Sequence, residues 1–192
     1  MSYLPDDRVT TIVIHYSATA IDGRPITAAE IDKWHRQRGF AEIGYHYFIR
    51  RDGMAETGRD LSQPGRFEVG AHAKGNNSSS IGICYEGGVV SADVNKGFDT
   101  RTPAQTAAMV RLIRELQERF GPVAVVGHRD MPYASTQCPG FDAGAWWADV
   151  NRPPIVAPPV RPDVELPHPK PGIVAAILAA LAGAFAIFKW SK

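Results

Sequence analysis

Apolar residues along this chain follow two different periods. The runs TTIVIH (10/11–15), YHYFI (45–49), SIGICY (80–85) and VAVVG (123–127) are rich in β-branched and aromatic residues and predict strands. Between them lie stretches with helical signals. ITAAEIDKWHRQRG (26–39) offers Thr27 with Glu30 three residues on, a capping-box pattern, and Gly39 to end the helix. RTPAQTAAMVRLIRELQERFG (101–121) offers Thr102 as cap, Pro103 at the first helical position and Gln105 as box partner. Its Met109, Leu112, Ile113 and Leu116 recur on one face. A short third helix is expected after Asp142, through GAWWADV. Helices alternating with β-branched strands predict an α/β fold, a sheet covered by helices, with chemistry on the loops that follow the strands.

Composition divides the chain in three. Residues 1–152 are mixed and globular, enough for one domain with a sufficient core. Residues 153–171 hold eight prolines in nineteen positions, which favours an extended linker over a packed element. Residues 172–188, GIVAAILAALAGAFAIF, carry no polar side chain, and KWSK closes the chain at 192. Seventeen apolar residues stand at the lower edge of a bilayer span, flanked by Lys170, Lys189, Trp190 and Lys192, so residues 172–192 are expected to be a transmembrane or membrane-associated helix contacting lipid.

Charge changes the picture only by exclusion. Lys+Arg is 21 against 20 for Asp+Glu, so no single-sign excess points to nucleic acid. Two cysteines make no disulfide framework, and Cys84 in its apolar run reads as a small buried thiol. MSYLPDDRVTT lacks a basic start followed by an apolar run, so synthesis in a cytoplasm and export by a route other than a secretory signal are expected.

Candidate chemistry rests on six histidines and Cys138. His168 falls in the proline-rich linker, and His35 follows Trp34 inside the first helix, where packing or hydrogen bonding is the simpler role. His15 and His128 each come at or just past the end of an apolar strand. Two neighbouring strands ending together would bring them to one sheet edge. In YHYFI side chains alternate, so Tyr45 and His46 face opposite ways. His15, His128 and Cys138 form a two-nitrogen, one-sulfur set that suits tetrahedral zinc with a fourth position open. Spacing alone leaves that reading and an ordinary loop histidine beside an unrelated thiol equally open.

Together, TIVIHYSAT, WHRQRGFAEIGYHYFIRRDG, VGAHAKGNNSSSIGICYEGG and GHRD…TQCPGFD resemble, in this order, the zinc-dependent N-acetylmuramoyl-L-alanine amidases of the type-2 family, which includes phage lysozyme-type amidases and peptidoglycan recognition proteins. The resemblance covers roughly residues 9–148 and implies a central mixed β-sheet flanked by helices. It also implies one Zn2+ held by His15, His128 and Cys138, Tyr45 as a catalytic tyrosine, and His72 and Asn76 on a wall of the substrate groove. His46 then reads as a buried structural residue. Two departures stand out. Thr136 occupies the place of the lysine that phage-type members carry two residues before the ligand cysteine, so the second catalytic role falls to Thr136. The loop before it is longer, with MPYAS as its irregular part.

The implied substrate is bacterial peptidoglycan, cut between N-acetylmuramic acid and L-alanine of the stem peptide. The implied actor is a monomeric enzyme, a phage endolysin made in the host cytoplasm and acting on the wall. A non-catalytic peptidoglycan-binding module is the alternative, but such relatives generally lack the ligand cysteine. A cytosolic wall-recycling amidase would have no use for the apolar tail.

Overall fold

The β-branched runs become the middle of a five-stranded mixed sheet. In the computed structural model, which describes residues 2–153, the strands in chain order are β1 (Tyr3–Pro5), β2 (Thr11–Tyr16), β3 (Thr19–Ala20), β4 (Tyr47–Ile49), β5 (Ala55–Thr57), β6 (Arg66–Glu68), β7 (Ser80–Tyr85), β8 (Gly88–Val89) and β9 (Ala124–Gly127). The main sheet has the order β5-β4-β7-β2-β9. β4, β7, β2 and β9 run parallel, and β5 adds an antiparallel edge. The short strands β1 and β6 pair antiparallel, and β3 and β8 pair parallel. The expected proline-rich linker, beyond Pro153, and the expected apolar helix of 172–192 lie outside the described residues. Among the described residues no helix is long and apolar enough to cross a membrane.

Parallel strands of one sheet need crossovers, and the helices supply two, each passing over one intervening strand. α1 (Ala28–Gln37) connects β2 to β4, and α2 (Pro103–Phe120) connects β7 to β9. Both begin at the expected caps: the Thr27 N–H donates to Glu30 at 3.1 Å, and Thr102 and Gln105 exchange bonds of 3.0 and 3.1 Å. α3 (Ala143–Val150) starts where Asp142 accepts the Ala145 N–H at 2.8 Å. α2 buries Gln105, Ala108, Met109, Leu112, Ile113 and Leu116, a stripe at three- and four-residue spacing. With α3 it covers the sheet face bearing Ile12, Ile14, Ile81, Ile83 and Tyr85. Burial of each such isoleucine contributes roughly 1.5–3 kcal/mol. α1 covers the opposite face, where Ile31, Phe48 and Cys84 form a smaller cluster. Cys84 is fully buried there, as its apolar run suggests.

The strand expected over 45–49 begins only at Tyr47. Successive N–H groups of Gly58 and Arg59 donate to successive carbonyls of His46 and Tyr45, at 2.8 and 2.9 Å, which ends the alternating ladder. The short strands β1, β3, β5, β6 and β8 were not legible as periods, because two or three residues carry none.

One buried carboxylate ties the loops beyond the C-terminal ends of the parallel strands. Glu86 is fully buried, pairs with the Arg51 guanidinium at 2.8 Å, and accepts the N–H groups of Ile26 and Arg51, each at 3.0 Å. Glu86→Ala should therefore lower unfolding free energy by about 3–5 kcal/mol, because it strands a charge and two amides. Urea unfolding that shows a change below 1 kcal/mol would refute that role.

Candidate metal centre and active site

Strand register delivers the first two site residues. Ile14 pairs with Gly127 across the parallel β2–β9 ladder, so His15 and His128, each one residue further, arrive side by side. Their ring centroids lie 4.6 Å apart. His128 opens a 3-10 turn, His128–Asp130, fastened by the Gly127 N–H donating to Asp130 at 2.9 Å. Cys138 arrives from the loop beyond. Its carbonyl accepts the Arg129 N–H at 2.7 Å, and its Sγ accepts the Tyr16 N–H at 3.2 Å. Gly127 makes this approach possible: a Cβ there would stand 2.6 Å from Cδ of Pro139.

The candidate donor atoms of His15, His128 and Cys138 all lie within 4.8 Å of one another. Nδ1 of His15 is 3.8 Å from Cys138 Sγ, while Nε2 is 3.1 Å from Nδ1 of His72. Two neutral nitrogens and a sulfur at this spacing fit a soft divalent ion such as zinc, and a ligand histidine whose other nitrogen is hydrogen-bonded is the usual arrangement. Burial, reinforced by the neighbouring imidazoles, holds the His15 pKa well below its ordinary value, and burial also lowers that of His128. Both are neutral at pH 7, the form a metal needs. Burial pushes the Cys138 thiol up to about 12 against the opposing Tyr16 N–H and Arg129 charge, so a bound cation must expel its proton.

Tyr45 joins these residues: its ring lies 5.1 Å from that of His15, and both line one pocket of about 210 Å³ with His128, Thr136 and Cys138. Burial, with the neighbouring Cys84 next in weight, holds its phenol well above its ordinary pKa, so it is a hydrogen-bond donor at any working pH. Thr136 is exposed, and its Oγ1 accepts the Cys138 N–H at 3.1 Å.

A model of the N-acetylmuramoyl-L-alanine amidase family matches residues 5–141. The chain belongs to that family. The endolysin of Klebsiella phage KP32 is 38% identical over 137 residues, covering 71% of this chain and 83% of its own length. The endolysin of Escherichia phage T7 is 37% identical with the same coverage. Among solved structures, the amidase LysC from Clostridium intestinale URNW matches with a TM-score of 0.61 at 29% identity, over 79% of this chain and 91% of that one.

The remaining histidines divide as their neighbours dictate. His46 is buried away from the pocket; its Nδ1 accepts the Gly82 N–H and its Nε2 donates to the Glu68 carbonyl, both at 2.9 Å. His35 is buried in α1 and accepts the Gly44 N–H at 2.8 Å. His72 is only 8% exposed and borders, with Phe40, Lys74 and His128, a second cleft of about 460 Å³. Asn76 donates to the carbonyls of Lys74 and Pro132, tying its turn to the MPYAS loop.

Sequence reasoning missed Trp34 and Arg38, which line the pocket of His15, Tyr45 and Cys138 from α1. Their i, i+4 spacing on the face of Ile31 was the available signal. It also missed Asn77, whose Oδ1 accepts the N–H groups of both His72 and Ala73, at 2.9 and 2.8 Å.

The buried imidazoles set a pH limit on the metal-free fold. His35 and His46 are lowered by burial from 6.5 to about 4, whereas an unfolded chain protonates them near 6.5. The unfolded state thus binds more protons between those values, and stability falls as pH drops through that window. The urea midpoint of metal-free protein should decline steadily from pH 7 to 4.5, and a flat midpoint would contradict the burial argument.

Proposed function

We propose that this protein is a zinc-dependent peptidoglycan amidase of the endolysin kind, cutting the bond between N-acetylmuramic acid and the L-alanine of the stem peptide. The observation that carries the reading is the convergence of His15, His128 and Cys138 within 4.8 Å beside Tyr45 in one pocket. Amidase-family membership and the phage endolysins at 37% and 38% identity support the substrate and the lytic setting.

His15, His128 and Cys138 would hold the ion. Zinc in such a set supplies Lewis acidity, polarising a carbonyl and lowering the pKa of a water. The chain's own residues do the positioning. The Tyr45 hydroxyl, kept protonated by burial, donates a hydrogen bond to the oxyanion that forms as the scissile carbonyl is attacked. Thr136 adds a second, neutral hydroxyl at the pocket rim, without the positive charge of a lysine. Trp34 and Arg38 present an apolar face and a cation to the bound substrate. The wider cleft beyond His128 continues the groove, with His72 in its wall and Asn76 shaping that wall through the Pro132 carbonyl.

Cys138→Ser should lose both bound zinc and release of stem peptide from purified sacculi. Tyr45→Phe should keep the metal and slow turnover by about 10²–10³-fold. Metal analysis with mass spectrometry of wall digests reads both, and a Cys138→Ser protein that is metal-free yet fully active would overturn the proposal.

The apolar run of residues 172–188 is proposed to attach the enzyme to the bacterial membrane. The full chain should co-sediment with vesicles of bacterial lipid, and a chain ending at Asn151 should not, while still digesting purified wall. Full-length protein that leaves such vesicles unbound would dismiss the membrane role.

A further inference from the structure

The Nδ1 edge of His72 is turned inward, toward His15. The 3.1 Å contact between His15 Nε2 and His72 Nδ1 requires one proton between them, because a neutral imidazole has one donor and one acceptor nitrogen. Two arrangements satisfy it. With the proton on His15 Nε2, the lone pair of His15 Nδ1 is free on the side where Cys138 Sγ lies 3.8 Å away. With the proton on His72 Nδ1, His15 carries its own proton on Nδ1 and offers no lone pair there. The direction of one hydrogen bond therefore decides whether His15 can be a ligand.

Everything around His72 fixes its ring for that contact. A Cβ at position 82 in β7 would stand 2.6 Å from Cγ of His72, and one at position 70 would stand 2.7 Å from its Cδ2, so only glycines leave room for the ring against the sheet. Asn77 pins the backbone at both His72 and Ala73. With Nδ1 as acceptor His72 carries its own proton on Nε2, which is buried and has no hydrogen-bond partner among the described residues, so the contact with His15 is the side-chain hydrogen bond that orients the ring. His46, the next imidazole, is committed to Gly82 and Glu68 and does not compete for Nδ1.

We infer that His72 is a positioning residue for the metal centre: it accepts the Nε2 proton of His15, selects the tautomer with Nδ1 free, and so sets zinc affinity. This rests on the reading of His15, His128 and Cys138 as the zinc set. A ligand's hydrogen-bond partner of this type typically accounts for about 10- to 100-fold in metal affinity. His72→Leu should weaken zinc binding by that factor in competition with a chromophoric chelator. His72→Asn, whose Oδ1 can take the place of Nδ1, should recover most of the loss. A purely structural role would make the two variants alike in affinity once both are shown folded by circular dichroism. Should His72→Leu fail to fold, the wild type answers directly. Imidazole nitrogen shifts of the zinc-loaded protein should show His15 protonated at Nε2 and metal-bound through Nδ1. An unprotonated Nε2, or zinc affinity unchanged in His72→Leu, overturns the inference while leaving the zinc set intact; a wild type that binds no zinc overturns the underlying reading instead.

Discussion

Parallel pairing of β2 between β7 and β9 is the constraint on which the site depends. A parallel ladder advances both strands in the same direction, so two strands in register end at the same edge. The pairing of Ile14 with Gly127 brings His15 and His128 together although 113 positions separate them in the chain, and the pairing of His15 with Cys84 puts a fully buried thiol beneath. A slip of one residue in β2 would turn His15 into the opposite core, among Ile81, Ile83 and the helix α2. The apolar alternation that forbids this slip is thus also what aims His15 at His128.

The same burial that aligns these groups makes them poor company without a cation. Neutral imidazoles of His15, His46 and His72 sit together, His15 and His72 within 3.1 Å, with a thiol whose proton is held up to about 12. Desolvation is the leading cause in each case, and the neighbouring rings add to it for His15 and His72. Of this neighbourhood, His15 and Cys138 with His128 form the group whose donor atoms could hold a metal ion, and the glycines at 82 and 127 show the backbone yielding space around it. Tyr45 gains from the same environment, because burial keeps its phenol a donor.

Around this centre the loops rather than the sheet carry individuality. The MPYAS loop that leads to Thr136 is tied down through Pro132 and Asn76 and through Arg129 and Cys138. Thr136 thus brings a neutral hydroxyl to the pocket, which Arg38 on α1 lines with a cation.

Residue pattern alone determined the three helices, their caps at Thr27, Thr102 and Asp142, and the long strands, because local hydrogen bonding and burial period act over a few residues. It also marked His15 and His128 as residues at the ends of apolar strands, but by spacing alone it left a metal site and an ordinary loop histidine equally open. Tertiary structure decided the rest. The alternation argument separated Tyr45 from His46 correctly, but for a different reason: the strand starts at Tyr47, and contacts with Gly82 and Glu68 hold His46. Nothing local distinguishes His72 as a groove residue from His72 as the partner of His15. That choice depends on a ring laid across Gly82 of a distant strand, and side-chain direction at that range is set by packing, which the order of residues does not express.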